Sequence, residues 1–196
     1  LGFRSIYGST KLASEMLVEE YAAAYDLNAV VNRCGVICGP WQMGKVDQGV
    51  FSLWMVRHLL GSENKKSPVL SYTGFGGEGF QVRDLLHPKD LFSLLLKQIE
   101  APRSATRSVG VFNVGGGKER SISLCELTKL CTELTGRVVD IGKSAESSSV
   151  DIPYFVSDIS NAQKHYNWEP KISLKEIFQE IQTWVQEHEA SLKTIF

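Results

Sequence analysis

The stretch Tyr7-Gly8-Ser9-Thr10-Lys11 opens a helix-forming run over residues 9–25, with Leu12, Met16 and Ala23 on its apolar side. Tyr7 and Lys11 stand four residues apart, so a helix puts them on one face. Two readings are open at this point. A tyrosine and a lysine one turn apart are often an ordinary surface pair. The same pair is also an acid/base device, because a free phenol titrates at about 10, too high for a base at neutral pH. A fixed positive charge beside it favours the phenolate and brings proton transfer closer to neutral pH. What surrounds the pair must decide between them.

Outward from that stretch, residues 28–38 hold two apolar runs, Ala29-Val30-Val31 and Val36-Ile37-Cys38, and read as one buried strand stopped by Gly39-Pro40. A second helix fits 48–60, followed by a polar loop over 61–68. A strand at 69–72 and an extended segment at 81–85 come next. Pro88 suits the first turn of a helix over 89–99. After a loop at 101–108, residues 109–114 read as a strand closed by Gly115-Gly116-Gly117. Ser121 or Ser123 caps a helix that ends at Gly136. A short strand at 138–141, a polar loop at 143–149, a short helix capped by Ser157 or Asp158, and a final amphipathic helix capped by Ser173 complete the chain. Strands alternating with helices predict an α/β fold.

Composition narrows the class. The chain has 196 residues and a formal net charge of −1, so it offers no basic surface for nucleic acid or for a membrane. No apolar run is long enough to span a bilayer. Cys34, Cys38, Cys125 and Cys131 read as free thiols rather than a disulfide framework. His58, His87, His165 and His188 fall in separate elements without ligand spacing, so no metal site is expected. His58 and His188 read as exposed helix residues, and His87 as a residue satisfying backbone groups. Gly74-Phe75-Gly76-Gly77-Glu78-Gly79 spells a dinucleotide fingerprint but is followed by a strand pattern instead of a helix, so a hairpin-like turn is expected. Gly115-Gly116-Gly117 reads as a flexible turn of a kind that can line a ligand cleft. Arg83-Asp84 is either an ion pair or a guanidinium offered to a phosphate.

Together these pieces resemble the C-terminal portion of the extended short-chain dehydrogenase/reductase superfamily, in its NAD-dependent sugar-nucleotide epimerase and dehydratase branch. Tyr7-Gly8-Ser9-Thr10-Lys11 resembles the family's Tyr-x-x-x-Lys motif. The run from Arg33 through Cys34 and Val36 to Pro40 resembles the segment that closes over the nicotinamide. Gln81-Val82-Arg83-Asp84-Leu85-Leu86-His87-Pro88-Lys89-Asp90 resembles the Val-Arg-Asp-x-x-His-x-x-Asp motif. Val111-Phe112-Asn113-Val114-Gly115-Gly116 is similar to the last core strand, and Tyr166-Asn167-Trp168-Glu169-Pro170 to the turn before the final helix. Trp41-Gln42, Asp47-Gln48-Gly49 and Tyr154-Phe155-Val156-Ser157-Asp158-Ile159 look most like the CDP-tyvelose (CDP-paratose) 2-epimerase subgroup.

The resemblance implies a part of a Rossmann-type parallel sheet joined to a smaller α/β substrate-binding domain. Residues 1–40, 81–100 and 109–116 would belong to the former, and 41–80 and 117–196 to the latter. A glycine-rich NAD-binding unit and a catalytic Ser or Thr are expected upstream of Leu1, so this piece alone should bind NAD poorly. The implied activity is epimerisation of a CDP- or UDP-linked sugar through transient oxidation. Tyr7 and Lys11 would be the catalytic pair, Tyr7 as the base, and both would lie at the cofactor with Arg33, Cys34 and Val36, Lys11 holding the nicotinamide ribose. Gln48, Tyr72 and Arg83 would meet the substrate. A cytoplasmic homodimer is implied. Three features depart from the family pattern: Val36, Cys38, and Ser147-Ser148-Ser149 where relatives place a second diphosphate-binding arginine. The alternatives are a 4-epimerase, 4,6-dehydratase or reductase of the same superfamily, or a non-catalytic relative that binds a sugar nucleotide or a partner protein.

Overall fold

The structure, a computed structural model, describes residues 5–45, 48–61, 70–101, 109–147 and 151–195. Asp47, Ser148, Ser149, and nearly all of the loops expected over 61–68 and 101–108 lie outside these.

The first helix, α1 (Ile6–Tyr25), begins three residues earlier than the sequence pattern suggests. Ser5 caps it, its hydroxyl accepting the Gly8 N–H at 3.0 Å. Only Ala22 is buried on it, while Met16, Leu17, Tyr21 and Tyr25 face outward. The strand expected over 28–38 is two strands, β1 (Ala29–Cys34) and β2 (Val36–Ile37), broken at Gly35. At the break the chain changes partner. β1 runs parallel to β5 (Val109–Val114), whereas β2 runs parallel to β4 (Val82–Leu86). The Gly35 N–H donates to Val114 O at 2.8 Å, which closes the first pairing as the second begins.

β4 is also flanked by an antiparallel β6 (Ser121–Ser123) and a parallel β8 (Tyr154–Phe155). β3 (Leu70–Thr73) pairs in parallel with β7 (Ile141–Ser144), so β7 lies three residues later than expected and Val138 is left exposed. Gly74–Gly79 is therefore no hairpin: it joins β3 to β4, which lie in different sheets. Its 3₁₀ turn, Phe75–Gly77, uses a left-handed Gly76 (φ 85°).

The remaining helices are α2 (Val50–Leu60), α3 (Pro88–Glu100), α4 (Leu124–Thr135), α5 (Ser160–Tyr166), α6 (Leu174–Glu187) and α7 (Glu189–Leu192). α4 and α6 begin with full capping boxes, Ser123 with Glu126 and Ser173 with Glu176. α5 starts without a side-chain cap at Ile159, although Asp158 Oδ1 accepts the Ser160 N–H. On α6, Ile177, Phe178, Ile181, Trp184 and Val185 recur at helical spacing and are buried.

Two apolar clusters result. α2, α4 and α6 pack one around Trp54, Met55, Leu127 and Phe178; α3, β5 and α5 pack the other around Leu94, Phe112 and Trp168. Successive strand residues point to opposite faces. Leu85 accordingly enters the first cluster and its neighbour Leu86 the second, each fully buried and each stabilising by about 1.5–3 kcal/mol. His58 is buried, against the expectation of an exposed residue, because α2 is enclosed on nearly every side. Gly115–Gly117 is tight rather than flexible: a Cβ on Gly116 would collide with Leu85 O. The buried Asp84 carboxylate accepts from Gly117 N (3.1 Å) and Ser157 Oγ (3.3 Å).

Candidate active site

Tyr7 and Lys11 occupy the first turns of α1. The Lys11 ammonium lies 5.3 Å from the centroid of the Tyr7 ring. Tyr7 is 69% exposed, and Lys11 has no carboxylate partner among the described residues. Glu15 follows one turn further along. It binds Arg33 at the end of β1 through two guanidinium nitrogens, Nε at 2.9 Å and Nη2 at 2.6 Å. The pair holds the Glu15 carboxyl below, and the Arg33 guanidinium above, their usual ranges. Its energetic weight on an exposed surface is small. Its geometric effect is to tie the helix bearing Tyr7 to the end of β1. Arg33 is thus engaged within the protein. Tyr7, Lys11 and Glu15 continue one i,i+4 row, a signal in the sequence that could have identified Glu15.

Cys34 is exposed beside the Gly35 break, and desolvation by its neighbours pushes its thiol up, away from thiolate chemistry. Val36 packs against the first apolar cluster. Burial pushes the pKa of the Cys38 thiol up to about 12 and keeps it neutral, against a smaller lowering by its contact with Ser52 Oγ.

The three candidate substrate residues have different surroundings. Gln48 is exposed, with its backbone bridging Lys45. Tyr72 stacks on Trp54 (5.8 Å, 11°) and reaches Thr128 Oγ1 at 2.7 Å. Thr128 donates its one hydroxyl hydrogen to Leu124 O and accepts from Trp54 Nε1. Tyr72 must therefore donate to it, which leaves the phenol's own lone pairs open to a donor. Arg83 does not pair with Asp84, because the two side chains leave opposite faces of β4. Its Nη2 meets Asp151 at 2.8 Å and its Nη1 meets Val82 O at 2.8 Å.

His87 caps α3, with Nδ1 accepting the Lys89 N–H at 3.1 Å, as its position before Pro88 suggested. Gly116 and Gly117 line a cleft of about 790 Å³ with Arg120, Ser157, Gln163 and Lys171. Neither Tyr7 nor Lys11 reaches that cleft. Among the described residues no cluster of His, Cys, Asp and Glu could hold a metal, and no helix is long and apolar enough to cross a membrane.

Residues 1–115 match the model of the NAD dependent epimerase/dehydratase family. The chain belongs to that family. This epimerase/dehydratase chain is 32% identical to the CDP-paratose 2-epimerase of Salmonella typhi over 184 residues, covering 94% of itself and 52% of that protein. The crystal structure of UDP-glucose 4-epimerase from Thermotoga maritima with UDP-glucose superposes with a TM-score of 0.76 at 28% identity, covering 93% of this chain and 54% of that one. MoeE5 in complex with UDP-glucuronic acid and NAD gives 0.74 at 27% identity, covering 92% and 55%. The family member described here thus spans about half the length of the relatives it matches. These neighbours share the Rossmann-like α/β architecture.

Proposed function

We propose that this protein is an NAD-dependent nucleotide-sugar epimerase that works by transient oxidation of a ring carbon, on a CDP-linked sugar in the manner of the 2-epimerase it resembles. The observation that carries the reading is the Lys11 ammonium 5.3 Å from the Tyr7 ring on an exposed helix, in a chain of this family. Lys11 fits the cofactor because its three N–H donors, with no acidic partner among the described residues, suit a ribose diol. NAD, when bound, supplies the acceptor and later the donor of the hydride.

The chain's own residues do the rest. Tyr7 Oη takes the sugar hydroxyl proton as hydride leaves the carbon, and returns it after the keto-sugar is reduced from its other face. Lys11 keeps its ammonium beside the Tyr7 ring on the same face of α1. The Gly35 break exposes Cys34 beside Val36 and forms the wall for the nicotinamide, with Arg33 fixing α1 against it. Arg83 offers its partly engaged guanidinium to the diphosphate, and Gln48 and the Tyr72 lone pairs meet the nucleotide or sugar. A cytoplasmic homodimer completes the reading, and the apolar residues that α1 exposes suit a subunit contact.

The test incubates the full-length protein with NAD and a panel of CDP- and UDP-sugars and follows isomers by NMR. Conversion of one sugar is expected, with a CDP-sugar preferred. Intact fold and bound NAD without conversion of any sugar would overturn the enzyme in favour of a sugar-nucleotide-binding module.

A further inference from the structure

Trp41 has a place in the fold that the proposed reaction does not use. It is 66% exposed and has φ 67°, a left-handed conformation that a bulky side chain rarely adopts. Such strain persists where the surroundings enforce it, and it marks functional sites more often than neutral ones. Here the enforcement comes from α6. The indole of Trp41 lies against Trp184 (5.8 Å, 48°) and meets the His188 ring edge-on at 4.7 Å. His188 is itself anchored by Nδ1, which lies 2.9 Å from Trp184 O. One flank of the indole is held and the rest faces a groove of about 370 Å³, open to solvent, along α6.

The groove is acidic as well as aromatic. Glu180 and Glu187 line it together with Gln179 and Thr183. Glu180 already binds Lys89 at 2.9 Å and stands 3.4 Å from His87 Nε2. Glu187 is exposed and has no partner among the described residues. An indole face attracts a cation, and a guanidinium stacks flat on it while forking onto a carboxylate. A compact ammonium lacks that planar match, and a neutral ligand leaves the acid unanswered.

We propose that this groove docks an arginine side chain presented by another polypeptide, stacked on Trp41 and paired with Glu187. The groove's open side admits main chain on either side of one inserted residue. Apart from Pro40, which ends the run resembling the nicotinamide-closing segment, none of its lining residues is a cofactor or substrate candidate, so the proposal stands apart from the epimerase reading.

The test uses the full-length protein and the peptide acetyl-Gly-Arg-Gly-amide, read by the indole ¹⁵N–¹H resonance of Trp41 and, in the variant that lacks it, by that of Trp184, which also lines the groove. Saturable movement of that resonance is expected. Affinity should fall on the order of tenfold for the citrulline peptide and for Glu187→Gln, and by at least that for Trp41→Gly. Glycine keeps the left-handed backbone, so that variant should fold; thermal melting checks it. Equal binding of arginine and citrulline peptides would overturn the proposal, as would a lysine peptide binding as tightly. So would movement with a neutral disaccharide such as maltose but not with the arginine peptide, or no saturable binding of any probe.

Discussion

In the proposed reaction Tyr7 carries the chemistry, and its substitution is the sharpest residue-scale test. Tyr7→Phe in the full-length protein removes one oxygen from an exposed ring without touching the core. Turnover by NMR should fall about 10²–10⁴-fold, the range expected for losing a positioned acid/base group. Bound NAD should be unchanged. Tyr72 predicts a different outcome. Tyr72→Phe deletes the hydrogen bond to Thr128 inside a packed cluster, so urea unfolding should show a loss of about 0.5–1.5 kcal/mol.

Two buried histidines set a pH dependence. The Nδ1 of His58 must donate to Trp54 O, 2.7 Å away, because a carbonyl only accepts. Its Nε2 is buried without a partner, and burial lowers the pKa of both His58 and His87. A histidine with a depressed folded-state value binds more protons when unfolded at mildly acidic pH. Stability is therefore full above the unfolded value of about 6.5 and declines as pH falls from there towards the folded values. Melting temperatures across pH 5 to 7.5 should show that decline, and His58→Gln should reduce it.

At the scale of elements, caps and periodicity were legible. Ser123, Gly136, Pro88 and Ser173 mark helix ends by chemistry confined to a few neighbouring residues, and all four stand where expected. Ser123→Ala should cost about 1 kcal/mol in a denaturant titration, since it removes the hydroxyl that accepts the Glu126 N–H and leaves only the backbone half of the α4 capping box. The illegible features were those decided by distant partners. The break at Gly35 depends on Val114 O and on β4, fifty residues downstream, so local composition showed one continuous strand. Gly74–Gly79 resembled a hairpin because both flanks are extended, and only sheet membership separates them. His58 looked exposed because a polar residue on a helix usually is, whereas α2 is covered on almost all sides. In the site, the Tyr7–Lys11 row was readable from spacing, while the partners of Arg33 and Arg83 on Glu15 and Asp151 were not predicted.

At the scale of the whole molecule, a sheet edge and the helix face beside it lie uncovered among the described residues. β1 pairs with β5 on one side and with no strand on the other among the described residues, and Val30 on it is 42% exposed. Beside it α1 turns Met16, Leu17 and Tyr21 outward. An unpaired edge next to exposed apolar groups templates association. Residues 1–196 expressed alone should self-associate with rising concentration in sedimentation experiments, and Val30→Lys should suppress it. The adjacent leucines of β4 carry a further consequence. Since Leu85 and Leu86 root the two apolar clusters in a single five-residue strand, neither cluster can melt without stripping a face from the support of the other. Native-state amide exchange should therefore give α2 and α3 a common slowest opening, the whole behaving as one cooperative unit.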